Sequence, residues 1–366
     1  MKITATKERL SQAIQLTERL VGKKESLPVL SCILIEADSA LTIRATNLEA
    51  GIEVHVPAEV KEKGIVAVPA AILSQTIRSI SGETVSLTVE DSNIRIESKG
   101  TKTLIKAVPH DEFPLLGGSD RSGVSVAREG LLKAIQAVSY AASPSMIRPE
   151  LGSILVGLRE QGLVCAATDS FRLAEKTIPG ALSGTADDLL IPLRHAVELT
   201  HMLERIKAET VSVVSEDSQL TVSGDGVRFV SRVIDGSFPN YKDIIPKEKD
   251  TVASATVLKA DFAEMLRKAR VFSGAEMQVG FHLYPSRKIF SATAQSQAVG
   301  EMSDTLDAAL SGEDLDINFH IGYVGDCLGA IQSDSITLSF AGIGRPLVMR
   351  GVSDASFVYL VMPLNR

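Results

Sequence analysis

The sequence predicts an α+β fold assembled from three copies of one domain, each with two helices and mostly antiparallel strands. Three observations predict it. Strand-to-helix openings recur near residues 1, 122 and 251. A threonine marker recurs at Thr46, Thr168 and Thr293, spaced by 122 and 125 residues. Runs of strict alternation (TVSLTV, NIRIES, TVSVVS, ITLSF) fill the space between the markers, and such alternation belongs to half-buried strands. The repeat is far longer than a solenoid unit, so a whole domain is triplicated. The copies are expected at 1–121, 122–247 and 248–366.

The first copy opens with MKITATKERLSQAIQLTERL, a short strand running into a helix. Leu10, Ala13, Ile14, Thr17, Leu20 and Val21 follow threes and fours and form one apolar stripe. SGVSVAREGLLKAIQAVSYAA opens the second copy and TVASATVLKADFAEMLRKARV the third, where Phe262, Met265, Leu266 and Ala269 repeat the stripe. A second helix follows GIVAVPAAILSQTIRSI and DLLIPLRHAVELTHML, with Pro69 and Pro192 expected in the first helical turn, where a missing N–H costs little. The third copy keeps this pattern without the proline in LDINFHIGYVGDCLGAI. VPHDEFPLL with Phe113 and IDGSFPNY with Phe238 close the first two copies, 125 residues apart, and VSDASFVYLVMPLNR closes the third. The helical windows are therefore 7–24, 69–81, 128–142, 192–207, 259–270 and 319–332.

Hydrophobic residues make up 45% of the 366 residues and charged ones 23%, a globular balance that excludes disorder. Aromatic residues are only 4% and Trp is absent, so aliphatic cores are expected. Cys32, Cys165 and Cys327 are far apart, which excludes a disulfide scaffold and a zinc finger built on adjacent cysteines, and points to the cytoplasm. No run has the length of a membrane span or a signal peptide. The net charge of −7 argues against nucleic acid in bulk, but the charge is sorted. The six helical windows hold fifteen basic and eight acidic residues. If they share a surface, it attracts phosphates while the remainder repels them. A bare preference of Lys and Arg for helices would give the same surplus.

Catalytic motifs are missing: the sequence has no Walker A loop, HExxH or GxSxG. His195 and His201 are badly spaced for a shared metal, Gly342 and Gly344 lack a third glycine, and His110, Asp111 and Glu112 read as a polar turn. No catalytic residue, metal or cofactor is expected.

With the triplication, the basic helices, LPVL at 27–30, ATDSFRLA at 167–174, DGSFPNY at 235–241 and the terminal YLVMPLNR in view, the chain resembles the bacterial DNA polymerase III beta subunits over its whole length. The resemblance implies a non-catalytic processivity factor, a head-to-tail homodimer whose six clamp domains close into a ring around double-stranded DNA. Its helices would line the hole. The implied partners are a clamp loader, the DNA polymerase III alpha subunit and other proteins carrying a clamp-binding motif. A clamp-descended paralogue with an altered pocket is the alternative.

The resemblance also assigns positions. A peptide pocket near the second and third domains would use Leu151, Thr168, Ser170, Phe171, Arg172, Leu173, Pro239, Asp243, Ile244, His320, Tyr323, Pro346, Val361, Met362, Pro363 and Leu364. Apolar members would supply buried area and the polar ones register. Relatives commonly have His where Phe171 stands and a basic residue where Asp243 stands. DNA contacts would come from Lys24, Arg78, Arg148 and Arg194, with Lys7, Arg19, Lys23, Lys133, Lys207 and Lys268 in support. Beside Arg148, Pro149 and Glu150 replace the aromatic residues usual in the family. Dimer contacts would come from Thr103 and Ile105 on one strand and from Val271 and Phe272 at a helix end.

Overall fold

The computed structural model describes residues 1–22, 27–117, 123–180, 182–216 and 218–364. Six α-helices lie among them: α1 (Lys7–Thr17), α2 (Ala70–Ser79), α3 (Arg128–Val138), α4 (Leu193–Arg205), α5 (Lys259–Phe272) and α6 (Ile321–Asp326). All strand pairings among the described residues are antiparallel. The chain forms two compact units, one of Met1–Leu132, Ser183–Asp187 and Arg194–Val233, the other of Lys133–Leu182, Asp188–Leu193 and Ile234–Arg366. The middle copy thus contributes to both.

Unit 1 holds a five-stranded sheet that ends in strand Thr101–Lys106 and an eight-stranded sheet. Within the larger sheet, Val227–Arg232 of the middle copy pairs with Ala50–Val56 of the first. Unit 2 holds a nine-stranded sheet, in which Asp354–Val361 of the third copy pairs with Arg172–Pro179 of the middle one. Its four-stranded sheet ends in strand Gly300–Leu306. The two seams have the same register marker: Arg232 N–H donates to Glu49 C=O and Met362 N–H to Phe171 C=O, both at 2.8 Å.

The helices follow the apolar stripes, with Leu10, Ala13, Ile14 and Thr17 of α1 and Phe262, Met265, Leu266 and Ala269 of α5 buried. Two expectations change. Pro69 and Pro192 close strands Gly64–Pro69 and Ala186–Pro192, and each helix begins at the following residue, so the prolines precede the first turn. The last window shrinks to α6 and one 3-10 turn, Cys327–Gly329, because Gly322, Gly325 and Gly329 each weaken a helix by about 1 kcal/mol.

One device recurs in every copy. The first residue of the opening helix is basic, and its side chain donates to carbonyls in the last turn of the second helix or just beyond it. Lys7 Nζ reaches Ile80 C=O at 2.5 Å and Lys259 Nζ reaches Ile331 C=O at 2.7 Å. Arg128 reaches Leu203 C=O at 2.7 Å and Ala208 C=O at 2.9 Å. Helix ends leave carbonyls without intrahelical partners, and a cation there is favoured by the helix dipole as well. Part of the basic surplus of the helices therefore holds the fold together.

The core of unit 1 is aliphatic, built on Ile3, Leu10, Ile14, Ile33, Ile43 and Leu73, with Phe229 as its large buried ring. Unit 2 departs from the expected aliphatic core. Phe262, Phe281, Phe290, Phe319 and Phe340 gather with ring centroids 5.8 to 6.5 Å apart. Low aromatic content limits the number of rings but not their clustering, and tilted or edge contacts add to burial. The three cysteines are free and buried, and burial pushes each thiol above its ordinary pKa.

Candidate partner-binding cleft and nucleic-acid face

In unit 2, the loop between strands Gly162–Thr168 and Arg172–Pro179 is fixed by its own polar groups. Thr168 Oγ1 donates to Arg172 C=O at 2.7 Å and accepts from Ser170 N–H at 3.2 Å. Asp169 Oδ1 accepts from Phe171 N–H and Arg172 N–H at 2.9 and 3.0 Å. Ser170 is thereby held at φ 78°, a left-handed conformation that costs a non-glycine residue about 1 kcal/mol or more. Phe171 is pushed outward and is 61% exposed, whereas Leu173 turns into the core.

Leu173 belongs to a buried cluster with Leu155, Ala166, Leu190, Tyr241 and Leu360, covered by the half-buried Ile234, Phe238, Ile245 and Met362. Phe238 meets Tyr241 edge-on with centroids 5.7 Å apart. The half-buried apolar groups give this region a surface that a partner's side chains can cover. Pro346 precedes strand Leu347–Gly351, whose Leu347 pairs with Val361, so Pro346 sits beside the chain at Met362. Beyond Met362 the tail leaves the seam, and Leu364 N–H donates to Asn318 C=O at 2.8 Å. Pro363 and Leu364 are half-buried there, while Val361 is wholly core. Ile244 and Asp243 are exposed near Pro239, and Asn240 Nδ2 donates to Asp243 Oδ2 at 2.5 Å. Leu151 is buried, its N–H on Arg148 C=O at 3.0 Å.

Arg172 is engaged inside unit 2. Its guanidinium pairs with Asp169 at 3.0 Å and with Asp326, and lies 4.4 Å from the centroid of the Tyr323 ring. Burial pushes its pKa down, but Tyr359, Asp169 and Asp326 outweigh this and hold it above the ordinary value. His320 stacks on Tyr323 at 4.3 Å and accepts from Tyr323 N–H through Nδ1 at 3.3 Å. Burial and the charge of Arg172 lower its pKa, which favours the neutral imidazole. Arg172 therefore positions Tyr323 and α6 against the loop.

The expected DNA contacts have carboxylate partners. Arg78 meets Glu18 at 2.9 Å, Arg148 meets Glu150 at 3.0 Å, and Arg194 pairs with Glu49. Arg19 meets Glu198 at 2.6 Å and Lys268 meets Asp304 at 3.1 Å. Lys23 and Lys24 lie outside the described residues. Exposed ion pairs are worth about 0–1 kcal/mol, so phosphates can displace these carboxylates. Lys133 on α3 also has a partner. Arg9, Lys207, Arg267 and Arg270 are exposed on or just after α1, α4 and α5 without an ion pair among the described residues.

The family models of the DNA polymerase III beta subunit match domain by domain: the N-terminal domain over 1–117, the central domain over 125–240 and the C-terminal domain over 242–365. The chain belongs to the DNA polymerase III beta subunit family. Among curated relatives, the beta sliding clamps of Bacillus subtilis (strain 168) and Escherichia coli (strain K12) are each 25% identical, with 100% of both chains covered. The crystal structure of the DNA polymerase III beta subunit of Thermotoga maritima matches with a TM-score of 0.93 at 25% identity, over 100% of this chain and 99% of that one. The Bacillus subtilis sliding clamp matches with a TM-score of 0.93 at 24% identity, over the same shares.

The residues expected at a dimer contact lie on one outer strand and at one helix end. Thr103 and Ile105 lie on Thr101–Lys106, but alternation turns Ile105 into the core at 4% exposure and leaves Leu104 outside at 58%. Val271 and Phe272 end α5, Val271 exposed and Phe272 half-buried. Sequence reasoning missed Leu104, whose outward direction follows from the period of two. It also missed Tyr241 and Phe238 as cleft residues, although FPNY was in view, and Arg267 and Arg270, which stand one turn apart on α5.

Proposed function

We propose that the protein is a DNA sliding clamp: two copies join head to tail into a ring that encircles duplex DNA and tethers the replicative polymerase, without catalysing a reaction. One observation carries the closure. The last strand of the middle copy pairs with the fourth strand of the first copy, and the last strand of the third copy pairs with the fourth strand of the middle one. Under this rule the last strand of the first copy, Thr101–Lys106, and the fourth strand of the third copy, Gly300–Leu306, are the two sheet edges left without a seam partner among the described residues. Each fits the other on a second chain. Their charges agree, with Lys102 and Lys106 on one edge and Glu301 and Asp304 on the other. An unpaired edge seeks a partner, and head-to-tail pairing closes when the rotation permits.

The ring reading accounts for the basic helices as a phosphate surface, in preference to a clamp-descended scaffold with an altered cleft. The domains divide at 1–121, 122–247 and 248–366. The cleft around Leu173, Tyr241 and Met362 receives short motifs of the alpha subunit, the clamp loader and other partners, and the work takes place in the cytoplasm. No helix among the described residues is long and apolar enough to cross a membrane. The test joins solution mass to retention on DNA. A dimer that stays on nicked circular duplex and slides off after linearisation supports the reading; a monomer at micromolar concentration, or equal loss from both DNAs, overturns it.

A further inference from the structure

The loop in unit 1 that corresponds to the cleft loop of unit 2 has the same construction. Thr46 Oγ1 donates to Ala50 C=O at 2.9 Å and accepts from Leu48 N–H at 3.1 Å. Asn47 Oδ1 accepts from Glu49 N–H and Ala50 N–H at 3.0 and 2.8 Å, the places where Asp169 serves Phe171 and Arg172. Leu48 has φ 75°, as Ser170 has 78°. The shared seam bond equates Glu49 with Phe171 and Arg232 with Met362.

The side chains differ, and the difference defines a site. Gly51 stands where unit 2 has Leu173. A Cβ on Gly51 would lie 2.3 Å from Leu116 Cδ2, so Leu116 supplies the floor from the opposite side. Leu116, Leu48, Leu115, Val230, Glu49 and Arg232 border a cleft of 340 Å³. Leu48 is 51% exposed and Leu115 97% exposed, an unusual cost for two large aliphatic groups beside one opening. Glu49 is neutralised by Arg194. Arg232 is exposed and has no carboxylate partner among the described residues. The cleft therefore presents apolar surface with one positive charge at its rim that no carboxylate among the described residues pairs.

We propose that this unit 1 cleft is a second docking site, which takes an extended peptide segment of a protein partner carrying an aliphatic or aromatic anchor next to a carboxylate. The anchor covers Leu48 and Leu115, and the carboxylate meets the Arg232 guanidinium, a charge-assisted pair. The choice of a peptide as occupant rests on the proposed peptide role of the unit 2 cleft; the apolar opening and the unpaired cation do not. A carboxylate distinguishes the two sites, because Met362 in unit 2 replaces the arginine.

The test uses the full chain with labelled Leu, Val and Met methyls and the blocked tetrapeptide Ac-Ser-Leu-Phe-Asp-NH2, compared with its Asn counterpart. Shifts at Leu48, Leu115 and Val230 that saturate with a Kd of about 1 mM or tighter are expected. The Asn peptide and Arg232→Glu should each weaken them at least about tenfold, one decade being 1.4 kcal/mol. Unchanged methyls elsewhere establish that the variant is folded. A peptide in which Lys replaces Asp should recover binding to Arg232→Glu. No shift at these methyls up to about 5 mM overturns the proposal, since such binding is weaker than any cleft of this kind requires. Equal binding of the Asp and Asn peptides also overturns it. Shifts confined to Leu173 and Met362 overturn it too, while leaving the unit 2 cleft standing; loss of the unit 2 response alone counts against the proposed function and not against this site.

Discussion

Leu48 and Ser170 occupy the same left-handed turn position, at φ 75° and 78°, in two loops whose hydrogen bonds match atom for atom. Neither is glycine, so both loops hold a strained residue by means of flanking Thr and Asn or Asp side chains. Ser170→Gly removes the steric part of this strain. It is expected to stabilise the chain by about 0.5–1 kcal/mol. Urea unfolding checks it; a loss of stability would mean that Ser170 makes a contact the loop depends on.

Lys7→Met leaves the carbonyl of Ile80 without its cation. A loss of about 1 kcal/mol is expected, with more if the carbonyl stays shielded from water. Lys259→Met should do the same at Ile331. Duplex affinity should stay unchanged in Lys7→Met, because this ammonium faces a helix end. Thermal unfolding and a DNA titration at fixed salt read the two effects separately.

Reversing the charge of one open edge should weaken self-association. In Lys102→Glu with Lys106→Glu, the dissociation constant is expected to rise at least about tenfold, since directly opposed like charges cost several tenths of a kcal/mol per pair and the favourable pairs are also lost. Adding Glu301→Lys and Asp304→Lys should restore the dimer. Leu104→Asp should act more strongly, by burying a charge in the joint. Sedimentation at micromolar concentration measures all three, and an unaltered mass for every variant places the contact elsewhere.

Duplex binding is expected to be sequence-independent and steeply salt-dependent. Arg267→Glu with Arg270→Glu should lower affinity uniformly across sequences and reduce the salt slope by about 0.9 per phosphate contact removed. A variant that changed the ranking of different duplexes would point to base readout in place of backbone contact.

His195 is buried, with Nδ1 2.8 Å from Ser231 Oγ and Nε2 3.9 Å from Glu49. Burial and the neighbouring Arg194 lower its pKa from 6.5 to about 4. The folded form therefore keeps His195 neutral, while the unfolded chain takes up a proton near the ordinary value. This contribution to stability is complete above the unfolded pKa and is lost as pH falls towards 4, at up to about 1.4 kcal/mol per pH unit. His195→Gln should flatten the difference in stability between pH 6.5 and 4.5. Equal slopes in the two proteins would show that carboxylates alone set the acid sensitivity.

The triplication was legible because each copy must satisfy the same local demands: a strand into an amphipathic helix, and a threonine that closes a turn. The joining of the middle copy to both neighbours was not, because strand seams are long-range pairings with no local signature. α6 shows a local rule that was overlooked, since Gly322 and Gly325 lie inside the expected window. In the cleft, Leu173 and Met362 could be named from their motifs. Tyr241 could not, because its place depends on Leu155, Leu190 and Leu360 packing around it from three distant strands. The internal role of Arg172 was hidden for the same reason: Asp326 is 154 residues away.

The seam of Val227–Arg232 on Ala50–Val56 and that of Asp354–Val361 on Arg172–Pro179 are each tied into one covalent chain. Their strands meet at an effective concentration of about millimolar order, whatever the amount of protein present. The proposed pairing of Thr101–Lys106 with Gly300–Leu306 of a second copy has no such tether. Unlike the two seams within one chain, such a joint obeys mass action. Dilution therefore loosens that joint and leaves the others closed, so the place where the assembly opens is set by chain connectivity, without any weakness in the strands themselves.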